Sequence, residues 1–446
     1  MTSHPQLVKV SLMKVLTHTI PFSQEAGSLL EIFKDEKNVF FLDSSLSNSS
    51  DGRFSYLGFA PFKIIKVKNF QQLRKEIKPW LSLKGSMPFS CGAVGRISYE
   101  GDLWFGLYEG VICIDHHKEI LTITSSGLPY KTPASQNKAA RQKIDYILYK
   151  MQTYRSVLQA GVRQAGKLLI KSNTTPKQYI AAVNKALKHI HDGNIYQINL
   201  SHRFEAAIKN RQKHTTASEV YKNLRSLSPS SFSAYLDDGG QVILSSSPER
   251  FLKLSQGIAQ VRPMKGTRSR GANPHEDNQN KQELFDSKKE KAELLMVTDL
   301  ERNDLGRVCR YGSVQVKAMR TIEEYSTVFQ ATSTVEGILR RDCDQMDLLE
   351  STFPSGSVTG CPKIEAMKII HQLEKSPRGL YTGALGYISF SGDMDFNVLI
   401  RTLFLEKDKI SFYVGGGIVA DSNPQKEYEE TLLKASAMIE ALRRSF

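Results

Sequence analysis

A chain of 446 residues, 40% hydrophobic and 24% charged, can bury one large core or two ordinary ones. No apolar run approaches the ~20 residues of a membrane-spanning helix, and the N-terminal stretch lacks the compact apolar segment of a secretory signal, so the expected compartment is the cytoplasm. The formal net charge of +14 suits an anionic partner, but the basic residues are scattered and mixed with acids. No nucleic-acid motif accompanies them, so a basic nucleic-acid-binding protein is a remote alternative, and neither nucleic acid nor membrane is an expected partner.

In chain order, the N-terminal part reads as strands and turns. Val39 to Leu42 is a short apolar run, Phe54 to Val67 follows the Asp51-Gly52 turn, and Val111 to Thr124 alternates around Asp115-His116-His117. A polar segment from Lys131 leads into a long helix reaching about Gln159. Gly161, Gly166 and the polar run Lys171 to Thr175 then divide an N-terminal lobe, residues 1–165, from a C-terminal lobe, residues 166–446. The second lobe opens with a helix: Thr175, Pro176 and Gln178 occupy cap, first-turn and capping-box positions, and Gly193 stops it. A strand follows, with Tyr196, Ile198 and Leu200 on one face and Gln197 and Asn199 on the other. Next comes a meander of Ser231 to Leu236, Val242 to Ser246 and Phe251 to Val261. Three more strands run from Tyr381 to Val419, broken near Gly392 and Lys407. Antiparallel runs alternating with long helices predict an α+β fold rather than a doubly wound sheet.

Two helical segments carry the same device. Glu290 and Glu293 lie three apart in one, Glu427 and Glu430 in the other, with Lys434 four residues beyond Glu430. Residues at i and i+3 share a helix face, so each pair aims two carboxylates into one space, which suits a hard cation such as Mg²⁺. The plainer alternative is two solvated helix faces, and spacing alone does not bring the helices together. The five cysteines are odd in number, far apart and never in a Cys-x-x-Cys pair, which speaks against disulfides and structural zinc. His189 and His191 read as helix-end residues complementing the dipole, not as metal ligands. Gly415-Gly416-Gly417 is no Walker loop, because no Gly-Lys-Ser/Thr follows.

Several ordered blocks together carry a resemblance. They are Asn194 to Leu200, Ser247-Pro248-Glu249-Arg250-Phe251, Thr298 to Arg307, Phe353 to Lys363 and Gly415 to Ser422. On these the chain resembles the chorismate-utilising family of anthranilate synthase large subunits, aminodeoxychorismate synthase component I, and isochorismate and salicylate synthases. The likeness covers the C-terminal lobe from about Lys171 to Arg443 and is looser before it. The segment Pro263-Met264-Lys265-Gly266-Thr267 is similar to the aminodeoxychorismate group at Lys265, where anthranilate synthases carry Ala. Where much of the family has His, this chain has Gln330. Asp43-Ser44 is loosely similar to the edge of the family's tryptophan pocket.

The resemblance implies two antiparallel β-sheets packed as a sandwich with helices outside, and amination of chorismate at C4. Lys265 would be the nucleophile and Glu249 the general acid. Glu293 and Glu430 would bind Mg²⁺, with Glu290 and Glu427 assisting. Gln197, Gly266, Thr267, Tyr387, Arg401, Gly415, Gly417 and Lys434 would hold the substrate. Arg401 is expected on the strand face of Leu399 and Leu403. Read without the family, Lys265 is a solvated strand-end lysine, Glu249 a polar turn residue, and Arg401 half of an internal ion pair. No Gly-x-Cys-x-Gly nucleophile segment occurs, so ammonia would come from a separate glutamine amidotransferase subunit. Anthranilate synthase component I is the alternative activity.

Overall fold

The computed structural model describes residues 15–46, 51–81, 87–154, 168–208, 213–325 and 328–446. The expected lobe boundary at Gly161 and Gly166, and the last residues of the helix predicted to reach Gln159, lie outside them; that helix is described over Pro133–Tyr154.

Among the described residues the strands form two sheets, of twelve and ten strands, paired antiparallel. Each draws strands from both sides of the boundary. In the first, Phe40–Asp43 pairs with Phe232–Asp237, setting Phe41 opposite Tyr235. In the second, Gly92–Ile97 pairs with Ala384–Ser389, setting Val94 opposite Tyr387. The period-2 alternation read from the sequence turns one side chain in two toward the facing sheet. Phe40, Leu236, Phe404 and Tyr413 of the first sheet meet Val94, Trp104, Tyr108, Leu385 and Tyr387 of the second in one aromatic-rich core. The outer faces are covered by helices. Phe33, Val220, Met438 and Leu442 pack on the first sheet, and Leu73, Ile77 and Leu349 on the second. This is the expected α+β sandwich with helices outside. No helix among the described residues is long and apolar enough to cross a membrane.

Several local expectations hold. The helix Pro176–His191 has the Thr175/Gln178 capping box, and the helix Pro424–Ser445 starts at Asn423, whose side chain accepts from the backbone N–H groups of Gln425 and Lys426. Others change. Tyr196 precedes the strand Gln197–Ala207 and is 69% exposed, while Gln197 and Asn199 are buried, because that strand is covered on both faces. The run Phe251 to Val261 is a hairpin, Arg250–Ser255 and Ile258–Val261, turning at Gln256-Gly257. Between Tyr381 and Val419 there are four strands, not three. The additional break falls at Leu399 to Arg401, where the chain leaves Met394–Val398 in the second sheet and enters Thr402–Glu406 in the first. Arg401 takes φ 49° at this crossing, so it does not share a strand face with Leu399 and Leu403.

Candidate active site

The hairpin Arg250–Ser255/Ile258–Val261 presents chemistry at its open end. Glu249 lies just before its first strand, and Lys265 lies just beyond its second, in the strand Met264–Ser269. Glu249 is held by its own backbone: its N–H bonds Ser247 Oγ at 3.3 Å, and its carbonyl accepts from Val398 N–H at 3.1 Å. Its side chain is buried and Oε1 has no partner. Burial pushes the carboxyl up to about 7, against the pull of the Ser357 hydroxyl and the Lys265 ammonium. Such a group is largely protonated at mildly acidic pH and can donate at neutrality.

Lys265 Nζ donates to Ser357 O at 3.3 Å. Burial of the ammonium lowers its pKa and Lys434 adds to the shift, while Glu293, Glu249 and Glu430 oppose it. Gly417 lies against it: a methyl group there would stand 3.2 Å from Gln197 Nε2 and 3.4 Å from Lys265 Nζ. Gln197 is buried with neither end of its amide bonded. Lys265, Gln197 and Gly417 therefore line one polar space in which the protein leaves hydrogen-bonding capacity unused.

The two glutamate helices, Lys288–Gly306 and Pro424–Ser445, meet at this space. Lys289 Nζ stands 3.9 Å from Glu293 Oε1 and 3.9 Å from Glu427 Oε1, one ammonium shared by both helices. Burial raises the pKa of Glu293, with Glu427 and Glu290 adding to the shift against Lys265 and Lys289. Glu290 accepts from Arg268 at 2.8 Å and keeps a buried, unpartnered Oε2 beside Gly266. Gly266 has φ +89°, and a Cβ there would press within 2.8 Å of Leu284 and 3.0 Å of the Glu290 carboxyl carbon. Glu427 is buried and accepts from Ser422 Oγ at 2.7 Å. Burial pushes Glu430 up, but Lys434 at 2.7 Å, with Lys289 and Lys265, carries its pKa below the usual value.

Among the described residues no three His, Cys, Asp or Glu side chains are already gathered as a metal cluster. The carboxylates nevertheless fit a hard divalent cation. They converge from two helices, one oxygen is orphaned and buried, and the Lys289 ammonium stands between Glu293 and Glu427 as a monovalent stand-in.

Arg401 has no carboxylate within 4.0 Å among the described residues, and burial alone lowers its pKa, so the internal ion-pair alternative fails. Lys434 Nζ also donates to Gly415 O at 3.1 Å, and a Cβ on Gly415 would stand 2.5 Å from Leu200 O. Thr267 is exposed and pairs across the sheet with Gln330, which is 1% exposed with an unpartnered Oε1. Tyr387 is not part of this group. Alternation along Ala384–Ser389 turns it into the sandwich, where its ring stacks on Phe89 at 4.4 Å and lines a separate cavity of about 230 Å³ with Asp51, Arg250 and Asp395. Asp43 and Ser44 line the same cavity.

Ser357 is hidden in the Phe353 to Lys363 block, where nothing local hints that it touches both Lys265 and Glu249. Its loop is fastened from below: Glu301 accepts from Ser355 Oγ at 3.1 Å and Gly356 N–H at 2.9 Å, and Lys363 bridges Asp304 and Pro354 O. Lys289 carries a signal in its i,i+4 spacing to Glu293, but its contact with Glu427 is tertiary.

Residues 48–440 match the family model described as chorismate binding enzyme. An anthranilate synthase component I-like protein of Synechocystis is 40% identical over 75% of this chain; the aligned chain spans 65% of that protein's length. Aminodeoxychorismate synthase component 1 of Bacillus subtilis is 32% identical over 96% of both chains. The crystal structure of anthranilate synthase component I from Streptococcus pneumoniae superposes with a TM-score of 0.75 at 30% identity, covering 86% of this chain and 92% of that one. The chain belongs to the chorismate-binding enzyme family, and its relatives include both activities.

Proposed function

We propose that this chain replaces the C4 hydroxyl of chorismate with an amine, giving 4-amino-4-deoxychorismate for para-aminobenzoate and folate synthesis. Ammonia comes from a separate glutamine amidotransferase subunit, and the compartment is the cytoplasm. The observation that carries the reading is the pairing of buried Glu249, with its pKa pushed up to about 7, and a Lys265 amine whose charged form is disfavoured.

In its neutral form Lys265 Nζ bonds to C2 while the ring double bonds shift and the C4–O bond breaks. Glu249 supplies the proton that lets the hydroxyl leave as water, a role that contributes about 10²–10⁴-fold in rate. Ammonia then bonds to C4, the double bonds shift back, and the C2–Nζ bond breaks. The ammonium formed at C4 returns a proton to Glu249, and Lys265 leaves as the free amine, so both groups end as they began. Arg401, Lys434, Gln197 and the backbone amides of Gly266, Thr267, Gly415 and Gly417 hold the substrate's carboxylates and orient the ring. Bound Mg²⁺, held by Glu293 and Glu430 with Glu290 and Glu427 direct or through water, would anchor the ring carboxylate and neutralise its charge.

Anthranilate synthase is the second reading, favoured by the names of the Synechocystis relative and the streptococcal structure. Purified protein given chorismate, Mg²⁺ and ammonium, with products read by mass spectrometry, tests the choice. An aminated product retaining the enolpyruvyl group is expected; anthranilate with pyruvate overturns it.

A further inference from the structure

We infer that Asp51 is a positioning residue: it staples the open end of the hairpin that presents Glu249 and Lys265 by binding an arginine from each side of that opening. The inference rests on the roles proposed above for those two residues.

The hairpin pairs Ser255 with Ile258, Leu254 with Ala259 and Lys253 with Gln260, so its ends open toward Arg250 and Arg262. Arg250 directly follows Glu249, and Arg262 precedes Lys265 by three residues. Beyond Lys253 and Gln260 the ladder lapses: the two strands exchange no further backbone pair, and within the hairpin only the Arg250 Nη1 to Gln260 Oε1 contact at 3.2 Å reaches across, before Met264 N–H meets the Glu249 carboxylate. Asp51 takes over there. Its Oδ1 accepts from Arg250 Nη1 at 2.8 Å, and its Oδ2 takes Arg262 Nη1. Each arginine is anchored again on its far side. Arg250 Nε bonds Asp395 at 3.0 Å, and Arg262 pairs with Glu323, which also accepts from Thr332 Oγ1 at 2.9 Å.

The side chains of Asp51, Arg250 and Arg262 are 16%, 4% and 14% exposed, so water screens these contacts poorly. Without the carboxylate, two guanidinium groups would face each other across the open end with their attraction to a common partner gone. Arg250 and Arg262 would keep Asp395 and Glu323, so the fold survives while the hairpin mouth loses its fixed width. A displacement of about 1 Å at reacting groups can cost about 10²-fold in rate. Asp51 itself comes from the N-terminal part of the chain, which contributes no reacting group to the proposal.

The test uses the full chain with chorismate, Mg²⁺ and ammonium, following chorismate consumption for wild type, Asp51→Asn and Asp51→Glu, with melting temperature measured alongside. Expected for Asp51→Asn is a fall in kcat of at least about 10-fold, KM for chorismate within about 3-fold of wild type, and recovery of most of the loss in Asp51→Glu. A kcat within about 2-fold of wild type overturns the staple, as does a loss confined to KM or one equally deep in Asp51→Glu. Should Asp51→Asn fail to fold, Arg262→Gln is read by the same kcat and KM criteria, with Arg262→Lys as its conservative rescue. The wild-type product separates the two claims: anthranilate and pyruvate would sink the amination reading, while the variant-to-wild-type ratio would still decide the staple.

Discussion

The two glutamate helices carry one spacing and hold their carboxylates in opposite electrostatic states. On Lys288–Gly306, Glu293 is 15% exposed and burial raises its pKa; on Pro424–Ser445, Glu430 is 52% exposed, paired with Lys434, and its pKa is lowered. The inner members differ as well, Glu290 paired with Arg268 and Glu427 buried on Ser422. The lesson is that Glu-x-x-Glu fixes direction and nothing more; what each carboxylate costs in the folded state is decided by its burial and by its neighbours, Lys434 one turn along the same helix for Glu430 and Lys265 from a separate strand for Glu293.

The largest effect should come from the cation that both helices feel. Lys265→Ala is expected to lower chorismate amination by at least about 10³-fold and to abolish trapping of a covalent adduct, since it deletes the proposed nucleophile. It should also raise the Glu293 pKa further, because Lys265 holds it down. An undiminished adduct by mass spectrometry would exclude Lys265 from the covalent role.

A smaller effect should separate the helices as metal holders. Glu293→Gln and Glu430→Gln are each expected to weaken Mg²⁺ by at least the roughly 10–100-fold range seen for groups supporting metal sites, measured by Mg²⁺ titration of activity and by calorimetry. Unchanged Mg²⁺ binding in both would remove the two-helix metal site. The smallest effect tests the opposite pKa shifts directly, in metal-free buffer. Glu293 is raised, so its stabilising balance is complete below the unfolded value of about 4.3 and declines as pH rises toward its folded pKa. Glu430 is lowered, so its contribution is present above about 4.3 and is lost as pH falls through its folded pKa. Above about pH 4.3 Glu293→Gln should therefore gain melting temperature relative to wild type, and Glu430→Gln should lose it. Shifts of the same sign would show that the helices are electrostatically equivalent after all.

Much of the fold and part of the site are legible in the amino-acid sequence. Thr175 with Gln178 and Asn423 with Pro424 are local signals, and each starts its helix where expected. The alternation of strands foretells the α+β class, because period 2 is a property of single strands. What the sequence hides is tertiary. Nothing local turns Tyr387 toward Phe89 rather than Lys265; strand parity and the identity of the facing sheet do that. Arg401 looks like a strand residue because apolar neighbours flank it, whereas its positive φ serves a change of sheet. Ser357 and Lys289 gain their importance from partners 92 positions away in one case and on another helix in the other.

The interleaving of the two sheets bears on how the protein is made. Gly92–Ile97 finds one neighbour close by in sequence, but its other edge waits for Ala384–Ser389, far later on the ribosome. Until then a nascent chain carries an open apolar strand edge, the kind of surface that chaperones cover and that aggregates when left bare. Glu430 and Lys434 arrive later still, so a partly synthesised chain has neither finished sheets nor a finished candidate site. Synonymous or temperature changes that slow translation between these segments should therefore show up as loss of soluble protein, not as a soluble, half-active enzyme.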